Sequence, residues 1–282
     1  MRHARRNSIL LHVAAVVVAI LILLPVAWTV EASIAPQRDL ISRPMVWWPS
    51  HLDLSRYHEI FFGGAGGVGE TFRAALWNTV VVAVAVVAIS MIVGILGAYA
   101  FARLQFPFRR ATLMLFLATY MLPQIALLIP LYFILSSLGL LDTQLGLIIV
   151  DTSLVIPFTL WILSNYFTTI PAELEEAARI DGTSRVGALF RIILPSAKPG
   201  IFAAMMFAFL LAWDEFMYAL IFTSSDAAKT LPVAISEFAG RYTTDFGLVA
   251  AGGLLAALPP VVIAVIFQRY VVSGMSAGSV KG

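Results

Sequence analysis
Three carboxyl groups sit where charge is costly. Asp151, Asp214 and Glu215 each lie within an apolar stretch long enough to cross a bilayer. A charge at mid-bilayer costs roughly 2.5–3.5 kcal/mol on insertion scales, which makes an intramembrane acid a candidate for function. Two kinds of work suit these groups. They can meet a polar solute along a pathway or gate, with Trp213 beside them, or they can hold one helix to another at a subunit contact. Adjacent helical residues point about 100° apart. Asp214 and Glu215 are therefore expected to face different surroundings, and the sequence leaves pathway and contact both open.

No residue is expected to be catalytic. The chain has no G-x-x-x-x-G-K-[ST] phosphate loop, so it is not expected to hold ATP in that way. Gly64-Ala65-Gly66-Gly67-Val68-Gly69 spells a dinucleotide fingerprint. No clear strand precedes it and no βαβ unit surrounds it, so a glycine-rich loop is expected instead. Gly274-Met275-Ser276-Ala277-Gly278 spells a nucleophile elbow, which needs a strand before it and a helix after it. An apolar span precedes this one and only four residues follow. The absence of cysteine excludes thiolate and cluster chemistry. His3, His12, His51 and His58 form no pair on one helix face, so no zinc site is expected.

The elements that must position the acids are membrane spans. The 282 residues are 60% hydrophobic and 12% charged, the balance of a polytopic membrane protein. Six spans are expected, at 9–30, 76–102, 111–135, 145–167, 200–222 and 248–272, within a single transmembrane domain over 1–282. The first follows Arg2, Arg5 and Arg6 as a signal peptide would, but a signal core has only roughly 7–15 residues. Residues 31–75 read as a polar loop in which Trp47-Trp48-Pro49 suits an interfacial anchor. Gly94, Ala98 and Ala102 give the second span a small-residue face for close helix packing. Pro123 and Pro130 interrupt the third, freeing carbonyls that protein or a wet cavity must satisfy.

Charge orients the spans. With the N-terminus inside, inner segments hold twelve Lys and Arg and outer segments six. The excess places both termini and the 169–199 loop in the cytoplasm. Basic residues at span ends thus explain the net charge of +2 without nucleic acid. At about 1.5 Å per residue, Asp214 lies about 21 Å from the inner end of its span, and Asp151 about 9 Å from the outer end of its own. Both belong to the outer half.

Charge is also concentrated in the 169–199 loop. Glu173, Glu175, Glu176, Arg179, Asp181, Arg185, Arg191 and Lys198 fall in or beside its core, EAARIDGTSRVGALFRIILP. Pro171 suits a first turn, and Gly182 suits the left-handed residue that ends a helix. Thr183 or Ser184 can cap a second helix, in which Val186, Leu189, Phe190 and Ile193 form one apolar stripe. Pro195 is expected to stop it. The product is a rigid, charged knob between two spans.

Glu176-Ala177-Ala178, Asp181-Gly182, Ile192 and Leu194-Pro195 resemble the EAA motif of permease subunits of bacterial ATP-binding-cassette importers. The resemblance implies that these eight residues couple the chain to a separate ATPase. More of the chain is similar to the maltose-type carbohydrate branch. The similarity includes Ala98 to Leu104 with Phe106-Pro107, Gly139 to Thr143, Trp213 to Phe216 and the tail from Ser276. Phe108 stands where that family usually has glycine, and Asp214 where it usually has asparagine.

The resemblance implies an all-α, six-span permease of the type I importer fold with a cytoplasmic coupling helix, in a bacterial inner membrane. It implies a second permease subunit, an ATPase dimer holding ATP and Mg, an extracytoplasmic solute-binding protein and a carbohydrate substrate, with no cofactor in this chain. The outer loop 223–247 is then expected to contact the binding protein through Ser236, Glu237, Arg241 and Tyr242. A stand-alone secondary transporter would show inverted repeats and no large charged inner loop. An intramembrane enzyme would show a nucleophile–base pair or metal ligands within its spans. Neither pattern is present in the sequence.

Overall fold
Lipid offers no partner for backbone N–H and C=O groups, so a chain this apolar satisfies them within helices. The computed structural model describes residues 2–44, 46–239 and 245–277, and side chains of those between 10 and 269. Among the described residues the regular structure is helical, with no strand. Among the described residues five helices are long and apolar enough to span a membrane, and one bent pair of shorter helices passes the same test when taken together. The chain divides into two compact units, Met1–Arg73 with Ala234–Ala257, and Ala74–Val233 with Leu258–Gly282.

In the first unit, α1 (Arg2–Ile34) exposes its apolar side chains along most of its length, as a lipid-facing or partner-facing helix does. Its C-terminal end is the anchored part. Helix α2 (Gln37–Leu40) and helix α3 (Ser55–Phe62) follow, so the expected loop over 31–75 carries helices of its own. Arg56 of α3 is buried. It donates to both carboxylate oxygens of Asp245 at 2.9 and 3.2 Å and to the Ala35 carbonyl at 2.6 Å. Tyr57 donates to Ser33 at 2.8 Å. The glycine run forms a turn into α4 (Val68–Arg103), where the Gly66 N–H donates to the Glu70 carboxylate at 2.6 Å. It is a helix start, as its loop reading anticipates. Trp47 and Trp48 are exposed.

In the second unit, α7 (Gln144–Thr169) is the most enclosed helix, packed against α5 (Arg109–Tyr120) and α11 (Lys198–Trp213). The small face of α4 meets it closely. A Cβ on Gly94 would stand 2.8 Å from a Thr159 methyl, and one on Gly97 2.8 Å from a Leu160 methyl. Gly200 plays the same part on α11, where a Cβ would lie 2.3 Å from the Tyr166 ring. Close approach of this kind supplies the dispersion that holds helices together in lipid.

Two expected spans are broken. The third is α5 followed by α6 (Gln124–Ser137), bent by 91°. The break falls at Met121, Leu122 and Pro123, because the residue before a proline avoids helical geometry. Pro130, expected as a second interruption, stays inside α6. Tyr218 donates to the Gln124 carbonyl at 3.3 Å, meeting one backbone acceptor just past the break. The fifth span is α11, an irregular step at Asp214, Glu215 and Phe216, and then α12 (Met217–Phe222). By contrast Pro259 and Pro260 lie within one continuous helix, α14 (Phe246–Ala277). The turn before α5 has Phe108 at φ 60°, the left-handed region glycine occupies freely. The residue differs from the family's usual one, and the backbone geometry is the one glycine would take.

Candidate functional site
The charged knob is built from α8 (Ala172–Ile180), a turn, and α9 (Arg185–Ala188). Glu173 and Glu175 occupy the first turn of α8, where the helix dipole favours negative charge. Asp181 ends the helix and Gly182 follows at φ +85°. The Gly182 N–H donates to the Arg179 carbonyl at 3.1 Å, and the Thr183 N–H to the Ala178 carbonyl at 3.0 Å. Of the two candidate caps Ser184 acts, accepting from the Gly187 N–H at 3.1 Å.

The second arm differs from expectation. After Ala188 the chain makes a π-helical turn, Leu189–Ile193, and passes into α10 (Leu194–Ser196). A π-turn bonds i to i+5, one residue more than an α-turn, and so shifts the phase of the side chains. The stripe therefore divides. Leu189 and Ile193 are buried, while Val186 is 64% and Phe190 58% exposed. Pro195 does not stop the helix; it sits in the first turn of α10, where its missing N–H is tolerated.

The arms are tied to the spans by a residue the sequence reading did not select. Glu175 is buried, accepts from the Tyr99 hydroxyl at 2.5 Å, and pairs with the Arg103 guanidinium at 3.5 Å. Arg103 also donates to the Ile170 carbonyl at 2.7 Å. Tyr99 and Arg103 are four apart on α4, so one helix face presents both. Around them Leu163, Phe167, Leu189 and Ile193 form a core joining knob to spans. Of the expected coupling residues, Glu176, Ala177, Asp181, Gly182 and Pro195 are exposed, and Ala178, Ile192 and Leu194 are half-buried. Exposed Leu174 and Ile180 (86% exposed) stand on the same short helix as Glu176 and Ala177.

The intramembrane acids meet at a cavity of about 460 Å³. Asp151, Asp214 and Glu215 line it with Tyr120, Gln124 and Phe216, and among the described residues no Lys, Arg or His does. Asp151 is 3% exposed, and one of its carboxylate oxygens has no hydrogen-bond partner. Asp214 is exposed at the end of α11. Glu215 accepts from the N–H groups of Tyr218 and Ala219 at 2.8 and 2.9 Å, which starts α12. The helical 100° separation does not apply across the step, and both neighbours face one cavity. Trp213 is buried and does not line it; its ring lies 5.2 Å from that of Phe209.

Residues on the opposite loops were legible only in part. Asp142 accepts from the N–H groups of Ser224 and Ser225 at 2.9 and 3.0 Å and from the Ser225 hydroxyl at 2.7 Å. Burial raises its carboxyl, and these hydrogen bonds more than offset it, leaving it below the ordinary aspartate value. Asn78, which nothing in the sequence marked, donates to the Asp226 and Lys229 carbonyls at 2.9 and 3.0 Å and accepts from Gln144 at 2.7 Å. Ser236 and Glu237 are exposed at the end of α13 (Leu231–Glu237). Arg241 and Tyr242 lie outside the described residues, as does the tail from residue 278.

A helical, multi-span chain with an acid-lined cavity and a braced knob defines a membrane permease. The chain belongs to the family of binding-protein-dependent transport system inner membrane components, matched over residues 90–277. It is 36% identical over 260 residues to the sulfoquinovosyl glycerol transport system permease protein SmoH of Agrobacterium fabrum, covering 92% of this chain and 89% of that protein. It is 35% identical over 283 residues to the trehalose/maltose transport system permease protein MalG of Thermococcus litoralis, covering all of both. Its fold resembles a chain of the bacterial ABC transporter that imports the acidic polysaccharide alginate. The TM-score is 0.77 at 23% identity, covering 96% of this chain and 98% of that one. The chain is thus a multi-pass inner-membrane permease subunit.

Proposed function
We propose that this chain is one of two permease subunits of an ATP-driven importer for a carbohydrate or related solute. A separate ATPase dimer binds ATP and Mg, and this chain needs no cofactor of its own. An extracytoplasmic binding protein delivers the solute, and exposed Ser236 and Glu237 are available to contact it. Both termini and the knob lie in the cytoplasm, in keeping with the excess of inner basic residues.

The observation that carries this reading is the division of labour within the knob. Glu175 is locked inward by Tyr99 and Arg103, while Glu176 next to it points to solvent. A surface braced in this way can transmit a push from a docked ATPase to α4. The exposed apolar residues Leu174, Ile180 and Val186 supply contact area, and Glu176 and Asp181 supply charge complementarity, which governs docking specificity.

The test reconstitutes this chain with its partners and reads ATPase stimulation, uptake and co-purification together. Glu176→Lys is expected to insert normally and to release the ATPase or uncouple hydrolysis from uptake. Deleting 236–243 is expected to abolish uptake while the complex stays assembled. If Glu176→Lys inserts, retains its ATPase and transports normally, the knob is only a connector.

A further inference from the structure
We infer that Arg56 is a positioning residue: it seats the exposed end of α13, with Ser236 and Glu237, for docking of the solute-binding protein. The inference rests on the binding-protein contact proposed above and adds the residue that holds that contact in place. Its basis lies within the first unit. Arg56 is 4% exposed, and its guanidinium joins three stretches of chain. Its Nε–H donates to both Asp245 carboxylate oxygens at 2.9 and 3.2 Å, and a terminal N–H donates to the Ala35 carbonyl at 2.6 Å. The chain just past α1, helix α3 and the residue before α14 thus meet on one side chain.

The start of α14 is built around that guanidinium. Asp245 also accepts from the Leu248 N–H at 3.0 Å, so the carboxylate that pairs with Arg56 caps the helix as well. A Cβ on Gly247 would overlap the guanidinium carbon, so the first turn of α14 lies directly against the arginine and glycine leaves room for it. Burying an arginine is costly, and a buried ion pair is weak evidence for stability. What the arginine supplies is placement, because its planar donors hold their partners in fixed directions.

Helix α14 in turn carries the contact surface. Gly252 lies about 10 Å along the helix from Asp245 at the usual rise per residue. A Cβ there would stand 3.2 Å from side-chain carbons of both Ile235 and Phe238, so the end of α13 rests close on α14 at this glycine. The Phe238 ring also stacks on that of buried Phe72, with centroids 6.4 Å apart. Ile235 and Phe238 are three apart and turn inward together, which leaves Ser236 and Glu237 exposed between them. Helix ends fray unless something holds them. Loss of Arg56 would free the first turns of α14, and with them the seat of Ser236 and Glu237. A loose surface must be ordered when its partner docks, which weakens association.

The test uses the full transporter in lipid nanodiscs with its cognate binding protein. The chain lacks cysteine, so a spin label on Ser236→Cys reports the freedom of this surface. Arg56→Ala is expected to raise the label's mobility before binding protein is added. In unlabelled transporter it is expected to raise the binding-protein concentration for half-maximal ATPase stimulation about tenfold, with basal hydrolysis unchanged. Gly247→Ala leaves every charge in place and, by helix propensity alone, would favour α14. It is expected to displace the guanidinium and give the same two changes, and serves if Arg56→Ala fails to assemble. Arg56→Lys, which keeps a charge opposite Asp245 without the planar donors, is expected to fall between parent and Arg56→Ala. Unchanged mobility in both Arg56→Ala and Gly247→Ala overturns the inference. So does a raised half-stimulating concentration accompanied by an equal loss of basal hydrolysis, which marks a purely structural role. Raised mobility with an unshifted titration overturns it differently: Arg56 then positions a surface that the binding protein does not touch. If the binding protein fails to stimulate even the parent transporter, the importer reading is wrong and the inference falls with it.

Discussion

The Tyr99 hydroxyl donates at 2.5 Å to the Glu175 carboxylate, a residue 76 positions further along the chain. That bond fastens the charged knob to the end of a membrane span. Hydrogen bonds to charged groups are worth about 1.5–3 kcal/mol. Tyr99→Phe is therefore expected to lower the midpoint of thermal unfolding of the purified complex and to reduce uptake per ATP hydrolysed. Glu175→Ala should destabilise more, since it also strips Arg103 of its acid. Glu176→Ala should leave the midpoint unchanged. Equal midpoints for the two glutamate variants would remove the distinction between brace and docking face.

Gly182 turns between the arms at φ +85° with open space where a side chain would go. Its replacement therefore strains the backbone and meets no neighbour. Left-handed geometry costs most residues roughly 1–2 kcal/mol, and asparagine less. Gly182→Val is expected to uncouple hydrolysis from uptake, and Gly182→Asn to retain most coupling. Parallel ATPase and uptake assays decide it, and equal behaviour of the two variants would show that the turn's geometry does not matter.

Phe108 holds φ 60° and is 82% exposed. A glycine there would relieve the strain and lose little burial. Phe108→Gly is expected to stabilise the complex by about 1 kcal/mol, the left-handed penalty less the added freedom of the unfolded chain. Chemical denaturation in detergent, followed by tryptophan emission, measures it. A lowered midpoint would mean that the ring is held by something other than this chain.

Asp142 clamps the turn at Ser224 and Ser225. Its folded carboxyl lies below the ordinary value, so the clamp's contribution is present above the unfolded value and is lost as pH falls through the folded one. A spin label on Ala227→Cys, an exposed neighbour in a cysteine-free chain, is expected to gain mobility below about pH 4. Asp142→Ala should show that mobility at neutral pH. A label equally mobile at all pH values in the parent would refute the clamp.

The long spans were legible because apolar length is itself the signal for crossing a bilayer. The step at Asp214 was not. Nothing in Trp213-Asp214-Glu215-Phe216 announces that Glu215 will bond the N–H groups of Tyr218 and Ala219 in place of helical carbonyls. The bend at Pro123 was half legible: proline predicts a break, yet Pro130 and Pro259 sit in unbroken helices. In the knob, the position of the turn and its Gly182 were readable, while the choice of Glu175 over Glu176 as the inward acid was not. Neighbours on a helix differ by about 100°, and only the partners Tyr99 and Arg103 decide which one turns in. The apolar stripe failed for a related reason, since a π-turn has no residue signature.

That π-turn limits the ways in which this stretch can vary. A substitution at 189–193 changes one contact. A π-turn holds one residue more than an α-turn, so loss of a single residue there would leave an ordinary α-turn with the flanking segments in nearly their present orientation. The same loss in the α-helical part of the arm would rotate Val186 and all that precedes it by about 100° relative to Ile193 and all that follows. A one-residue shortening is thus absorbed in these five positions and not beside them. A chimera that exchanges knobs between relatives should be joined on the far side of Ala197, where the register is no longer at stake.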